Sequence, residues 1–319
     1  MTANPRKMLT YKDYTVAIIC PLPIELDAAW CLFDEEHEAL AKKGNDPNGY
    51  FLGEMSGHNV AVAYFPYGDQ GIGAASAVAS NMAWAFPSAK LRLLVGLGGG
   101  VRSKRHDIHL GDVVVGMPDG THGGVVQWNL GKATTHGFER KGHVNKAPDE
   151  WRYLAVAMMA RHRHGEKRFI DFLMNMQSKY PNKFSRPPPG QDVLFSPDQH
   201  HVGDGLSCEE AECVRRYAAT PSSHRDPQVH YGTIASGDEV VKDAVKRDTI
   251  SRENGGVLCV EMEAAKLPDI FPCIVIRGIC DYADSHKNDQ WHPYAAAVAV
   301  AFAKELLTHI PPPIRTSAS

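Results

Sequence analysis

The stretch VLCVEMEAAKL (257–267) carries two carboxylates, Glu261 and Glu263, on either side of Met262 at the end of an apolar, β-branched run. Placing that charge beside buried strand residues costs free energy unless something uses it. Three more stretches put chemistry-bearing groups directly after apolar runs: Glu25 in PLPIELDAAW, the glycines of GLGGGV (96–101), and Asp281 in CIVIRGICDYAD. Carboxylates gathered at strand ends suit general acid–base work and stabilisation of a developing cation. Each also has a plainer reading. Alone, Glu25 is a solvated first-turn carboxylate favoured by the helix macrodipole, Asp281 is a helix cap, and one of Glu261 and Glu263 is the partner of a nearby Arg or Lys. The glycines read as a backbone-exposing turn, with the spacing of neither the dinucleotide fingerprint nor the P-loop. Three carboxylate-bearing strand ends in one chain favour a shared site.

Positioning them requires strands and crossovers. Apolar, β-branched runs recur as YTVAIIC (14–20), VAVAYF (60–65), LRLLVG (91–96), DVVVG (112–116), YGTIA (231–235), GVLCV (256–260) and CIVIRG (273–278). Helix-like segments alternate with them, notably IELDAAWCLF, IGAASAVASNMAWAF and PYAAAVAVAFAKELL. The pattern predicts an α/β fold, three-layer α/β/α with a central mixed β-sheet, in which ligands settle outside the carboxyl ends of the strands. Residues 1–319 read as a single domain with an inserted elaboration at about 134–229. That insert contains an amphipathic helix from Trp151, basic RHRHGEKR as a solvated helix face, a second helix-like piece FIDFLMNMQ, and the breaker SRPPPGQD. The terminal PPPIRTSAS is expected to fray.

The 319 residues are enough for a sizeable core. A formal charge of -3 from 34 basic and 37 acidic residues leaves no footprint for nucleic acid or an anionic membrane and favours a small ligand. No signal peptide or membrane-length apolar window is present, and four of the seven cysteines lie in apolar runs, so a soluble chain in a reducing, intracellular compartment, the cytoplasm, is expected.

The order ASGDEVVKD (235–243), CVEMEAAKL (259–267), CIVIRGICDYAD (273–284) resembles the nucleoside phosphorylase and nucleosidase superfamily, whose members break the N-glycosidic bond of nucleosides. The stretch DIHLGDVVVGMPDGTHGGVVQWNLGK (107–132), with HYGTIASGD and DYADSHKNDQWHPYAAA, is similar to a fungal branch in which such a domain often precedes nucleotide-binding and repeat modules; here it is expected to stand alone. The resemblance implies that Asp281 protonates or hydrogen-bonds N7 of a purine, which calls for a raised pKa from an apolar surround. It implies that Glu263 accepts hydrogen bonds from the ribose hydroxyls, that Met262 packs on the ribose, and that Glu261 is structural or assists the 2'-hydroxyl. Val240 and Val241, with Asp238 just before them, would face the base, although the family's aromatic stacker is absent at Val240; Trp128 is a substitute or a core residue. Gly98, Gly71 and Gly73 would border the ribose or nucleophile side. Homo-oligomers, dimers above all, are implied, with no cofactor and no metal.

Phosphorylases of this superfamily grip phosphate with an Arg and a Ser flanking the strand-end Gly; here those places are Leu94 and Leu97, with Arg92 deeper in the strand. Hydrolases place a water-activating Glu after the first strand, and Glu25 aligns there without gaps. The expectation is a purine nucleoside N-ribohydrolase with Glu25 as base, Asp281 as acid and Glu263 as ribose anchor. A phosphorylase of the same fold and a non-catalytic nucleoside-sensing module are the alternatives. The His pairs, and Cys208 with Cys213, lack zinc-site spacing, and His122 is a weak candidate for the 5' side.

Overall fold

The computed structural model describes residues 6–188, 190–203, 206–213 and 225–312. Its strands are β1 (Val16–Cys20), β2 (Glu35–Glu36), β3 (Tyr50–Met55), β4 (His58–Tyr64), β5 (Leu91–Gly100), β6 (Val113–Gly116), β7 (Val125–Gln127), β8 (Gly131–Thr134), β9 (Gly137–Arg140), β10 (Val229–Gly232), β11 (Ile234–Ser236), β12 (Cys259–Glu261) and β13 (Ile274–Asp281). The helices are α1 (Pro23–Cys31), α2 (Gly71–Ala85), α3 (Asp149–Arg163), α4 (Arg168–Lys179), α5 (Ala244–Glu253), α6 (Leu267–Ile270) and α7 (His292–Thr308).

The main sheet runs β10-β6-β13-β5-β1-β4-β3-β2. Its centre is parallel, β13 with β5, β5 with β1 and β1 with β4, while β6 on β13 and β3 on β4 are antiparallel. A branch of β7, β11 and β12 leaves from the far end of β5, where Cys259 faces Gly100 and Val260 faces Gly99. Helices α1 and α7 cover one face, α2 with α6 the other, which gives the expected three layers around a mixed sheet. The central strands β1, β5 and β13 are almost wholly buried, as strands covered on both faces must be.

Two segments differ from expectation. The series GLGGG is not a turn; it continues β5 to Gly100. The run YGTIA divides at Thr233 into β10 and β11, which pair with different strands. In the elaboration, α3 and α4 form as expected, and a β8–β9 hairpin, not foreseen, precedes them. Trp151, Met158, Phe169, Leu173 and Met176 of α3 and α4 join the main core cluster. The basic run is not wholly solvated: His162 turns inward to Glu305 Oε2, 3.1 Å away. The expected fraying of 313–319 lies outside the described residues. Among the described residues, no helix is long and apolar enough to cross a membrane.

Helix α7 explains the closeness of the layers. Its small alanines let the backbone approach β13 so tightly that a Cβ on Gly278 would lie 2.0 Å from Ala295 O. Its two buried charges are satisfied: Lys304 Nζ donates to Leu32 O (2.9 Å), and Glu305 accepts the backbone N–H groups of Arg168 and Phe169 (3.2 Å each). A methyl group at position 278 has nowhere to go except by separating helix from sheet, so Gly278→Ala is expected to cost at least about 2 kcal/mol. Urea unfolding measures this; a variant within about 0.5 kcal/mol of the parent contradicts the close packing.

Candidate active site

Glu25 sits on the first turn of α1, which Pro23 opens. Its Oε2 accepts the N–H of Leu22 (2.6 Å) and its Oε1 the N–H of Leu97 (2.7 Å). The side chain is not the solvated first-turn carboxylate of the plainer reading: it is 1% exposed. Burial pushes its pKa up to about 8, against the pull of Arg277 and the Leu22 N–H, with Glu263 adding to the rise.

Arg277, on β13, is the centre of the arrangement. Its Nη1 donates to Leu97 O (3.2 Å), and its Nη2 meets the carboxylates of Glu261 and, at 3.2 Å, Glu263. Burial works against the guanidinium's charge, and the carboxylates of Glu261, Glu263 and Glu25 more than offset it, so its pKa is raised. Gly96 makes room for the pair: a Cβ there would lie 2.6 Å from Arg277 Nη1 and 2.7 Å from Glu25 Oε1. The glycines of β5 clear space for charged side chains instead of bending the chain.

Glu261 is committed to structure, because it also accepts the N–H groups of Glu263 and Ala264 (both 3.1 Å). Glu263 is the freer acid. Burial pushes its pKa up to about 7; Arg277 opposes the rise, and backbone hydrogen bonds from Met262 and Gly71 help hold the anion.

Asp281 ends β13. Its Oδ1 accepts the Ala283 N–H (2.8 Å), and its Oδ2 lies 3.0 Å from Lys287 Nζ and 3.1 Å from Cys280 Sγ. The apolar surround expected for this acid is therefore replaced by an ion pair. Burial of Lys287 favours its neutral form, yet Asp281 outweighs this and raises its pKa. Ala283 has a left-handed backbone (φ 50°), costly for a residue with a Cβ, and a Cβ on Gly99 would lie 2.8 Å from both Asp281 Oδ1 and Ala283 Cβ. The turn that holds Asp281 is thus strained and tightly packed. Sγ of Cys280, a carboxylate oxygen of Asp281 and a ring nitrogen of His292 lie within 4.8 Å of one another, but Lys287 already supplies a cation there.

A cleft of about 160 Å³ brings Glu25, Glu261, Glu263 and Asp281 together. Met262, Val240, Val241 and Gly98 line it as well. Other expected residues stand elsewhere. Asp238 accepts the Ile72 N–H (2.8 Å) and pins the start of α2 instead of facing the cleft. Gly71, at φ 82°, opens α2 and reaches Glu263 only through its backbone, and Gly73 is within that helix, away from the lining. Trp128 packs on a satellite core cluster, with Lys246 over its ring at 5.2 Å, and does not stack in the cleft. Arg92 points to Phe271 and Ala89 O, and His122 is also outside the lining. Sequence reasoning gave no role to Arg277 or Lys287; the signal for Arg277 was a cation inside the apolar run CIVIRG, four residues before Asp281, which needs buried acids to pair with.

The comparisons with known proteins bear on this geometry. No family model matches the chain. A nucleotide-binding leucine-rich repeat (NLR)-like protein of Hyaloscypha variabilis is 38% identical over 312 residues, 98% of this chain and 31% of the relative's length. Shorter stretches match a 5'-methylthioadenosine/S-adenosylhomocysteine nucleosidase of Mycobacterium tuberculosis (32% identical, 27% of this chain, 36% of the relative) and an ATP nucleosidase of Escherichia coli (30% identical, 25% of this chain, 17% of the relative). The chain thus spans about a third or less of the length of these relatives. Among solved structures, a 5'-methylthioadenosine/S-adenosylhomocysteine nucleosidase from Neisseria meningitidis in complex with methylthio-immucillin-A superposes with a TM-score of 0.60 at 17% identity, covering 92% of this chain and 99% of that one.

The chain has the nucleoside phosphorylase/nucleosidase fold.

In this nucleosidase-type fold one buried cation carries three acids, so its removal strands them. Arg277→Met is expected to cost about 3–5 kcal/mol. Without the guanidinium the carboxyls are driven further toward protonation in the folded state, so the deficit grows as pH rises above the unfolded carboxyl range. Urea unfolding at about pH 5 and about pH 8 checks this; an equal deficit at both places the loss in packing, not charge.

Proposed function

We propose that the chain is a purine nucleoside N-ribohydrolase: it breaks the C1'–N9 bond of adenosine- or guanosine-type nucleosides with water. The observation that carries this reading is the charge of the cleft wall. Six carboxylates (Glu25, Asp69, Glu239, Glu261, Glu263, Asp281) face two side-chain cations, Arg277 and Lys287, and both cations are paired with acids. An inorganic dianion has no unpaired cation to bind, whereas an oxocarbenium-like sugar gains from every carboxylate near it.

In this reading Glu25, whose oxygens each keep a lone pair beyond their backbone hydrogen bond, takes a proton from water as its oxygen bonds to C1'. Glu263 accepts hydrogen bonds from the ribose hydroxyls, which strengthen as C1' becomes cationic. The bonding pair of C1'–N9 leaves with the purine, and Asp281 delivers a proton to N7, drawing on the Lys287 ammonium 3.0 Å behind it. Met262 lies against the sugar, and Val240 and Val241 against the base. The proposal includes one unit over 1–319 with its elaboration at about 134–229, a homodimer or larger homo-oligomer, and an intracellular site of action.

A second reading comes from the Hyaloscypha relative, whose name describes an NLR-like protein: the same cleft binds a nucleoside without turning it over. Product analysis separates the readings. Adenosine, guanosine, 5'-methylthioadenosine and ATP are each incubated with and without phosphate. Free base plus ribose, independent of phosphate, supports the hydrolase; ribose 1-phosphate formed only with phosphate makes it a phosphorylase, and binding without products makes it a sensor. ATP as the one substrate cleaved moves the substrate class from nucleoside to nucleotide.

Glu25→Gln and Asp281→Asn are each expected to lower kcat about 10²–10⁴-fold while leaving the circular dichroism spectrum unchanged. Near-normal hydrolysis by Glu25→Gln overturns the base assignment. Because the base acts deprotonated, kcat/KM of the parent is expected to rise with pH through the region of about 7 to about 8 where Glu263 and Glu25 titrate. A profile flat or falling across that region contradicts the assignment of both acids.

A further inference from the structure

Outside the cleft, the elaboration gathers a second set of donors that the nucleosidase chemistry does not use. His201, Cys208 and Cys213 place one ring nitrogen and two sulfurs within 4.8 Å of one another. They are far enough apart in sequence that spacing alone gives no motif; the backbone brings them together. A turn over 207–213 is closed by hydrogen bonds from Ala211 N to Ser207 O (2.9 Å) and from Cys213 N to Cys208 O (3.0 Å). Glu212 adopts a left-handed conformation (φ 50°) that returns Cys213 over Cys208. His201 is held independently, its N–H donating to Ser285 Oγ (2.9 Å).

A second observation points to the same spot. His286 is buried, stacked on Phe195 with ring centroids 3.7 Å apart, and both its ring nitrogens lack a hydrogen-bond partner. Its ring meets that of His201 edge-on at 5.7 Å. Nδ1 faces Asp284 Oδ1 at 3.8 Å, beyond hydrogen-bond distance, and Nε2 has no hydrogen-bond partner, a cost that native proteins seldom carry. Next to the His201 imidazole, the one free acceptor of this ring is a polar group left for something bound beside it.

We infer that His201, Cys208 and Cys213 bind a zinc ion. Two thiolates and an imidazole are the ligand chemistry zinc prefers over magnesium or calcium, and donor atoms no more than 4.8 Å apart need only side-chain rotation to close to the roughly 3.5–3.8 Å of a tetrahedral zinc. Three protein ligands leave the fourth position of the zinc to water. The role is structural. The ion ties the turn at 207–213 to the segment 284–287, and through it to Lys287, the residue that faces Asp281. Binding releases the two thiol protons, so the site is formed only with the cysteines reduced.

The test uses the full chain, produced with zinc present and purified without chelator. One equivalent of zinc per chain is expected, falling to background in the Cys208→Ser/Cys213→Ser double variant, while His201→Gln lowers affinity by roughly tenfold or more. Replacing zinc with cobalt(II) should give intense ligand-field bands and a thiolate charge-transfer band, both absent from the double variant. Chelation should lower the melting temperature and expose the turn at 207–213 to protease in the parent but not in the double variant, whose circular dichroism reports whether it has folded. The inference is overturned by a reduced parent chain that takes up no zinc or cobalt, by equal uptake in the double variant, or by intact mass showing Cys208 and Cys213 joined as a disulfide in the chain as purified under reducing conditions. None of these readouts depends on nucleoside turnover, so they stand or fall apart from the hydrolase reading.

Discussion

A single buried guanidinium shared among three carboxylates is the constraint on which the site rests. Removing an ion from water costs several kcal/mol even after relaxation, and it is tolerated only where opposite charge and hydrogen bonds replace the solvent. Arg277 supplies the opposite charge for Glu261, Glu263 and Glu25 at once. One cation cannot fully offset three anions. Glu261 takes the tightest contact and the nearby N–H groups, and the shortfall falls on Glu25 and Glu263, whose pKa values stand near neutrality. A carboxylate poised there is a stronger base than an ordinary one, and it is still charged often enough to act. In the hydrolase reading this electrostatic deficit is what makes Glu25 a base.

Geometry serves that deficit through what is missing. Gly96 and Gly99 on β5 have no side chain where Arg277, Glu25, Asp281 and Ala283 need room. On the opposite side of β13, Gly278 lets the backbone of α7 seal the sheet. The charged cluster is therefore backed by a dry, closely packed wall, which keeps the local dielectric low and every charge interaction strong.

The layers and the carboxylate ends of the strands were legible in the sequence because hydrophobic periodicity and a local motif encode them: β1, β5, β12 and β13 lie where the apolar runs predicted, and Glu25, Glu263 and Asp281 meet at one cleft. Three things were not legible. The glycines of β5 read as a turn because their function is to avoid a contact made far away in sequence, with residues 25 and 277. Asp238 read as a base contact because it adjoins Val240, whereas its partner, the Ile72 N–H, is 166 positions away. The ion pair of Asp281 with Lys287 was missed because a lysine in a polar stretch, DYADSHKND, carries no sign of burial. None of the three is a matter of apolar spacing, and periodicity is blind to polar pairings and to space left empty.

The pairing of β13 with β5 slips between Ile279 and Asp281, so that Cys280 is left over. Arg277, which holds Glu261 and Glu263, and Asp281, which the hydrolase reading sets against the departing base, stand on one strand with a kink between them. In the hydrolase reading the strand is an internal yardstick between the two ends of the scissile bond, set by backbone pairing and not by the loops that border the cleft.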